Sequence, residues 1–406
     1  MREPLTPYQR KLFFFLGVAT FFEGFDQMAI AQVLTSLRSE MQLSDTATGL
    51  LVAVVNVGTV LAYVLVRQAD RWGRKPVLDV TIAGYTLFSF LSGLAPEIVS
   101  FALLQLVARI FLIGEWVVST VYAAEEFPAS RRGSVIGVIS AFSSLGAVLC
   151  AGLVPQLARL PWGWRSVYFA GTIPLVLLAI ARRGIRETAR FESLSPEQRK
   201  PTPLLAIFST PYRTRVLQLA AIWGAIYVCT QTAVTFFKQH AVETLHMEEG
   251  VVGAMIAGAA VLSMPFVFAA GRLLDVVGRR VGASIIFGVA SLGCIGAYTL
   301  THPAALFVSM VLAIFGASAV LPALNAFNTE LFPTHLRSDA FAWSNNILGR
   351  ITYVLAPIVV GHAAGTVGWG AAVASTALGP ILGIVLVMLW MPETRGRELE
   401  DTAALH

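Results

Sequence analysis

The sequence predicts an all-α polytopic membrane protein, with twelve transmembrane helices arranged as two pseudo-symmetric six-helix bundles. Three observations predict it. Of 406 residues, 56% are apolar and only 13% are charged, against roughly 45–50% and about 25% in soluble globular chains. Apolar stretches of about 20 residues, the length at which a helix crosses a hydrocarbon core roughly 30 Å thick, recur from end to end. Motifs of the first half also return in the second, displaced by 205 residues.

In chain order the stretches lie near 12–37, 49–67, 76–95, 98–124, 133–158, 164–182, 213–240, 250–274, 281–300, 304–331, 338–362 and 367–391. A spanning β-barrel would show short segments of alternating polarity instead. The first stretch follows Arg2, Arg10 and Lys11, as a signal peptide would. It is too long for a signal h-region, contains Glu23 and Asp26, and has no small-residue cleavage site, so it is read as span 1. Span 2 offers Asn56, and span 4 holds Arg109 and Glu115. Span 7 has Tyr227 and Gln231, with Lys238 near its outer end, where an ammonium is expected to snorkel to water. Span 10 carries Asn325 and Asn328 on one face, and span 11 carries Asn345, Asn346 and Arg350. Pro265, Pro322 and Pro357 in spans 8, 10 and 11 free backbone carbonyls, serving as packing kinks or as hinges. Trp116, Trp223, Trp343 and Trp390 read as interfacial or packing residues. Cys150, Cys229 and Cys294 fall within spans, so no disulfide framework is implied.

A net charge of +5 could suggest nucleic acid, but the placement of the charges gives a better account. With the N-terminus inside and an even number of spans, 23 of the 29 Lys and Arg residues fall on the cytoplasmic side. Arg38, Arg159, Arg165 and Lys238 fall outside, and Arg109 and Arg350 lie within spans. That asymmetry places both termini in the cytoplasm. Together with the absence of Asn-X-Ser/Thr sites, it fits a bacterial inner membrane.

The repeat is detailed. Asp70-Arg71-Trp72-Gly73-Arg74-Lys75 returns as Asp275-Val276-Val277-Gly278-Arg279-Arg280; Glu125, Pro128 and Arg132 return as Glu330, Pro333 and Arg337; Trp164 returns as Trp369. Glu187-Thr188 and Glu393-Thr394 close the sixth and twelfth spans at an offset of 206. The expected organisation is therefore an N-terminal bundle at 1–182, a charged, Pro-containing cytoplasmic linker at 183–212, and a C-terminal bundle at 213–406 with a short tail. Gly73 permits a tight turn while Arg71, Arg74 and Lys75 sit at the anionic leaflet. The recurrence of Asp-X-X-Gly-Arg in both halves points to a cytoplasmic latch whose ion pairs form in one access state and break in the other. Its expected members are Asp70, Arg71, Gly73, Arg74, Glu125 and Arg132 in the first half and Asp275, Gly278, Arg279, Glu330 and Arg337 in the second.

These residues carry a resemblance. The loop at Asp70–Lys75 resembles the loop 2–3 signature of the major facilitator superfamily, and Pro392-Glu393-Thr394-Arg395-Gly396-Arg397-Glu398-Leu399 is similar to the C-terminal signature of its sugar-porter-like branches. Gly114-Glu115-Trp116, followed by Glu125, Pro128, Arg132 and Gly133, resembles span 4 of the metabolite:proton and sialate:proton symporters. Arg109 stands six residues before Glu115, about one helical turn closer than in that branch. The resemblance implies two bundles rocking around a central site lined by spans 1, 4, 7 and 10.

Glu23 and Asp26 are three residues apart, on one helix face about halfway across the bilayer. A carboxylate there costs roughly 2.5–3.5 kcal/mol, so the pair needs a reason to exist. One reason is proton exchange near neutral pH, because desolvation and like charge disfavour the ionised form; another is pairing with Arg109. A protonatable acid whose arginine partner is released to the substrate would combine the two. Glu115 either braces span 4 or serves function. Arg350 can fork onto a carboxylate, and the amides are expected to form part of the substrate wall. The expected substrate-binding set is Arg109, Glu115, Tyr227, Gln231, Asn325, Asn328, Asn346 and Arg350, with Glu23 and Asp26 coupling protons.

An enzyme is disfavoured. His240, His246, His302, His335, His362 and His406 lie mostly at span ends or in loops, and no HExxH, GxSxG or phosphate loop occurs. The leading expectation is a monomeric proton symporter for a small organic anion, with the lipid bilayer as its setting and no nucleic acid, metal or cofactor. The alternatives are a proton-driven exporter and a sensor on the same scaffold. The span 5 motif of drug antiporters, ending in Gly-Pro, is not matched, since Leu153 follows Gly152.

Overall fold

The computed structural model describes residues 5–172, 185–193, 205–333 and 336–395. Among them the chain is helical, and eight helical runs are long and apolar enough to cross a membrane. The last run, 337–390, is 54 residues long, far beyond the roughly 20 needed for one crossing. It is broken at Gly368 (φ 80°, ψ 160°), which separates the eleventh span from the twelfth without a loop. Two further helices are Arg74–Gly93, which opens on the charged residues Arg74, Lys75 and Asp79, and Ala129–Leu157. A helix over 165–172 begins the predicted sixth span, whose remainder lies outside the described residues.

Each helix has local causes. The first, α1 (Pro7–Met41), opens with a capping box in which Thr6 Oγ1 accepts from Gln9 N and Gln9 Oε1 accepts from Thr6 N, with Pro7 in the first turn; it closes at Gln42 in the left-handed region. α2 (Asp45–Val66) leads through a short turn at Ala69–Trp72 to α3 (Arg74–Gly93), then α4 (Ile98–Glu126), α5 (Ala129–Leu157) and α6 (165–172). In the second half come α7 (Arg213–Thr235), α8 (Glu249–Val277), α9 (Arg279–Thr299) and α10 (Pro303–Glu330). α11 starts at Arg337–Phe341, widens into a π-helix at Ala342–Gly349 and continues from Ile351 to the break at Gly368; α12 follows in two segments, the remainder of Ile351–Ser375 and then Leu378–Trp390. Pro265, Pro322 and Pro357 all lie inside helices that continue past them.

The chain separates into two compact units, one of Met1–Gln42 with Val54–Pro201 and one of Leu43–Ala53 with Thr202–His406. Each has its own apolar core. The first gathers Leu12, Leu16, Leu78, Leu112, Tyr122 and Phe127, and the second Trp223, Ile226, Phe287, Leu324, Phe327 and Phe332. In the first unit α1 and α5 cross where neither carries a side chain. A Cβ on Gly24 would strike the Ser143 backbone, and one on Gly146 would strike the Phe21 carbonyl. In the second unit Trp369 Nε1 donates to Asp45 Oδ1 at 3.0 Å, while in the first its repeat partner Trp164 donates to Glu40 Oε2 at 2.8 Å.

Lys238 corrects an expectation. It does not snorkel: the residue is 1% exposed and its Nζ lies 2.8 Å from Glu249 Oε2. The cause is the end of α7, where the helix gives way after Thr235 to a short turn, Phe237–Gln239, and a π-helical turn, His240–Thr244. These turns bring the lysine inward against the first residue of α8.

Candidate functional site

In the first unit α1 places Glu23 and Asp26 three positions apart, and both are buried. Each is held by a serine from a different helix. Ser143 Oγ of α5 donates to Glu23 Oε2 at 2.8 Å, and Ser89 Oγ of α3 donates to Asp26 Oδ1 at 3.0 Å. The Tyr85 hydroxyl lies against Asp26 and the Phe22 carbonyl. α4 supplies Arg109 and Glu115, both buried. Glu115 Oε1 accepts from Ser119 Oγ at 2.6 Å, one turn along the same helix. Among the described residues Arg109 forms no ion pair at bonding distance; it acts on Asp26 through space. The α2 backbone approaches it closely, since a Cβ on Gly58 would meet Arg109 Cβ at 2.9 Å.

In the second unit the π-helical stretch of α11 carries the corresponding features. Tyr227 Oη of α7 donates to Asn345 Oδ1 at 2.6 Å, and Ser344 Oγ donates to Asn328 Oδ1 at 3.1 Å. Arg350 closes that stretch. It is buried, its Nε has no partner among the described residues, and its guanidinium lies 5.9 Å from the Tyr353 ring centroid. The Tyr353 ring packs edge-on against Tyr227 at 4.6 Å, which in turn packs on Trp223 at 5.1 Å. Asn325 Oδ1 is likewise buried without a partner. Gln231 and Asn346 are half-buried. Asn345, rather than its neighbour Asn346, takes the tyrosine hydroxyl. Wide π turns shift side chains off the regular helical register and recur at functional sites.

The repeated loops form the same construction in both units. Gly73 (φ 105°) and Gly278 (φ 95°) adopt backbone angles that other residues rarely reach, and each turns the chain directly into the first residue of a helix. The exposed amides of α3 are taken by a glutamate from the end of the unit: Glu187 accepts from Arg74 N and Lys75 N, both at 3.1 Å. In the second unit Glu393 accepts from Arg279 N at 2.8 Å and Arg280 N at 3.1 Å. The arginine side chain then turns back. Arg74 pairs with Glu125 at 2.9 Å, and Arg279 pairs with Glu330 at 3.0 Å and with Asp275 at 2.6 Å. Thr188 Oγ1 donates to Glu125 and Thr394 Oγ1 donates to Glu330, completing each ring. Burial pushes Glu393 up, but amide donation from Arg279, Arg395, Arg280 and Thr394 outweighs it and holds the carboxyl below its usual value.

Not every predicted latch residue joins these rings. Arg71 is exposed and takes no part, and Arg337 donates to the Phe332 carbonyl at 3.3 Å. The side chains of Asp70 and Arg132 lie outside the described residues. Sequence reasoning noticed Glu187-Thr188 and Glu393-Thr394 as repeats without seeing that they clasp a helix start. It passed over Tyr85, Ser89, Ser143 and Tyr353. Only Ser119, four residues after Glu115, had a visible signal, since that spacing faces the two side chains on a helix.

The sequence pattern of the Major Facilitator Superfamily matches residues 16–241 and again 225–404. The chain is 26% identical to a probable 4-methylmuconolactone transporter of Cupriavidus pinatubonensis, over 98% of this chain and 93% of that one. It is 24% identical to a sialic acid transporter of Escherichia coli (90% of each) and 28% identical to a gallate transporter of Pseudomonas putida (95% and 92%). Two solved structures share its fold. A bacterial homologue of the human lysosomal transporter Spinster superposes with a TM-score of 0.78 at 17% identity, over 95% of this chain and 97% of that one. The D-xylose-proton symporter superposes with a TM-score of 0.77 at 18% identity, over 96% and 99%.

Proposed function

Because the chain belongs to the major facilitator superfamily, and is thus a multi-pass membrane transporter of metabolites rather than an enzyme, we propose that it carries a small carboxylate-bearing metabolite together with protons. The observation that carries this reading is the pair of buried arginines. Arg109 and Arg350 each sit in one unit with no acid at bonding distance among the described residues. A buried guanidinium without a paired anion is costly, and a substrate carboxylate would satisfy its planar fork. The names of two relatives, sialic acid and gallate, point to organic acids as well.

The residues divide the work. Arg350 receives the carboxylate, with Tyr227, Tyr353 and the amides Gln231, Asn325, Asn328 and Asn346 setting shape and polarity around it. Asp26 and Glu23 take up the proton. While Asp26 is ionised it balances the charge of Arg109; once protonated it releases Arg109 to an anionic substrate, which ties binding to protonation. The two glutamate-clasped loops serve as cytoplasmic latches of units 1–182 and 213–406, linked by 183–212. Both termini are cytoplasmic, in a bacterial inner membrane, and the direction is uptake.

Proteoliposomes with an imposed inward pH gradient test this. Wild-type protein should accumulate an organic acid found by thermal-shift screening. Asp26→Asn should abolish accumulation but keep counterflow exchange, and Arg350→Lys should raise KM at least tenfold. Unchanged accumulation in Asp26→Asn removes that residue from coupling, and lipophilic cations as the only ligands would reverse the assignment to an exporter.

A further inference from the structure

We propose that the end of the linker is a positioning element of the substrate site: Phe208, packed on Trp343, holds α11 in the π-helical register from which it presents Asn345 and Arg350. The proposal rests on the substrate role given to Arg350.

A π-helical stretch needs outside support, because its i→i+5 bonding is rare and persists mostly as single turns within α-helices. In α11 a bond of this kind, from Arg350 N to the Asn345 carbonyl at 3.1 Å, closes the stretch. Three consecutive side chains leave it in different directions, and a different segment meets each. Asn345 accepts from the Tyr227 hydroxyl of α7 at 2.6 Å, Ser344 donates to Asn328 of α10 at 3.1 Å, and Trp343 meets Phe208 edge-on, with ring centroids 4.8 Å apart. At the far end α7 closes on the backbone, where a Cβ on Gly349 would meet Trp223 Cβ at 2.7 Å. The support at Trp343 comes from the linker rather than from a spanning helix.

The linker segment is itself anchored. Ala206–Ser209 forms a 3-10 turn, and Ile207, beside Phe208, is 1% exposed within the core of the second unit. Thr210 Oγ1 donates to the Ile207 carbonyl at 2.6 Å and accepts from Tyr212 N at 3.3 Å. The Tyr212 ring packs on Phe332 at 5.9 Å, and Arg215 Nη1 donates to the Leu331 carbonyl at 2.9 Å, which ties the segment to the end of α10. A passive tether has no need to commit two apolar side chains in this way.

The first unit supplies the comparison. At the 205-residue offset Ala342–Gly349 corresponds to 137–144, which lies in the regular helix α5, and Trp343 corresponds to Val138, which is 46% exposed. Where no ring grips the helix, the regular register is kept. A one-residue change of register turns everything beyond it by about 100°, so the grip on Trp343 governs where Arg350 points.

The test reads the register without a substrate. Full-length protein in nanodiscs is followed by hydrogen exchange and by labelling with phenylglyoxal, which reacts with guanidinium groups. Loss of an aromatic edge contact shifts a local opening equilibrium by roughly two- to tenfold. Phe208→Ala should speed amide exchange over 342–350 and phenylglyoxal labelling of Arg350 by that factor, leave labelling of Arg109 unchanged, and raise KM in proteoliposomes. Phe208→Tyr, which keeps the ring, should restore wild-type rates. Tyr212→Ala removes a neighbouring ring contact made with Phe332; it should lower the melting temperature and leave Arg350 labelling as in wild type. Unchanged Arg350 labelling in folded Phe208→Ala, or an equal acceleration in Tyr212→Ala, would overturn the proposal. Should Phe208→Ala fail to fold, Phe208→Leu, which keeps apolar volume without the ring, carries the same expectation. Faster Arg350 labelling with an unchanged KM would defeat the substrate role of Arg350 instead, and the grip of Phe208 on α11 would stand.

Discussion

Replacing Glu393 by glutamine tests whether the repeated loops hold each unit together. Glu393 Oε1 accepts from Arg279 N at 2.8 Å and Arg395 N at 3.0 Å, and Oε2 accepts from Arg280 N at 3.1 Å. Glutamine keeps one acceptor oxygen but turns an NH2 toward amides that can only donate. Bonds to a charged acceptor contribute about 1.5–3 kcal/mol each against roughly 0.5–1.5 for neutral ones, and an anion at a helix N-terminus adds about 0.3–1 kcal/mol. Glu393 is only partly buried, so water replaces part of the loss, leaving about 1–2 kcal/mol for the substitution. For a unit of this size that corresponds to a melting shift of roughly 2–8 °C, read by thermal unfolding in nanodiscs at pH 7. Because the carboxyl sits below its ordinary value, its stabilisation is full above the unfolded-state value and disappears as pH falls through the folded one. Wild type and Glu393→Gln should therefore converge in acid and separate at neutral pH. Glu187→Gln, facing Arg74 N and Lys75 N, should also lower the melting temperature at pH 7. A Glu393→Gln protein melting within about 1 °C of wild type at pH 7, or a gap that widens in acid, would refute the clasp.

Gly24→Ala should cost more than about 2 kcal/mol and largely abolish folded yield, since its Cβ meets Ser143 backbone atoms that cannot rotate away; Gly152→Ala, with nothing within 4 Å, should be neutral or slightly stabilising in the same melting assay. Lys238→Met should be tolerated better than Glu249→Gln, because the first removes a fully buried charge and the second removes the carboxylate it pairs with; the order of the two melting temperatures decides it. Tyr227→Phe should destabilise by about 1–3 kcal/mol, leaving the buried Asn345 Oδ1 without its 2.6 Å donor, and should raise substrate KM.

The fold was legible because bilayer thickness and backbone satisfaction leave long apolar helices as the simplest answer, and because the repeat could be checked at several motifs. Legibility failed where a helix departs from its regular register. Lys238 follows the break after Thr235, so its inward turn could not be read from position. The π-helical stretch at Ala342–Gly349 shifts Asn345 and Asn346 relative to a regular helix, so regular spacing does not foresee the bond from Tyr227 to Asn345. The acids were visible as rare charges in apolar runs, whereas their serine partners were not, since serine is common in spans and only three-dimensional packing selects Ser89 and Ser143.

The repeat also separates what both units need from what one unit does. At the same 205-residue offset Glu23, Asp26, Tyr85 and Ser89 correspond to Val228, Gln231, Ala290 and Cys294, while Arg109, Glu115, Ser119 and Ser143 correspond to Ile314, Val320, Leu324 and Leu348. Every member of the acid network is replaced, its hydroxyl partners together with its carboxyls. The clasped loops are kept on both sides, with Glu187 and Glu393, Arg74 and Arg279, and Glu125 and Glu330 in equivalent bonds. A helix start with unsatisfied amides is a requirement of each bundle, so both retain the same answer. A buried carboxyl is a cost that repays only where it has a task, and its hydroxyl donors are of use only beside it. Loss of the whole network from one unit, with no carboxylate left stranded there, is what confinement of proton handling to the other unit predicts.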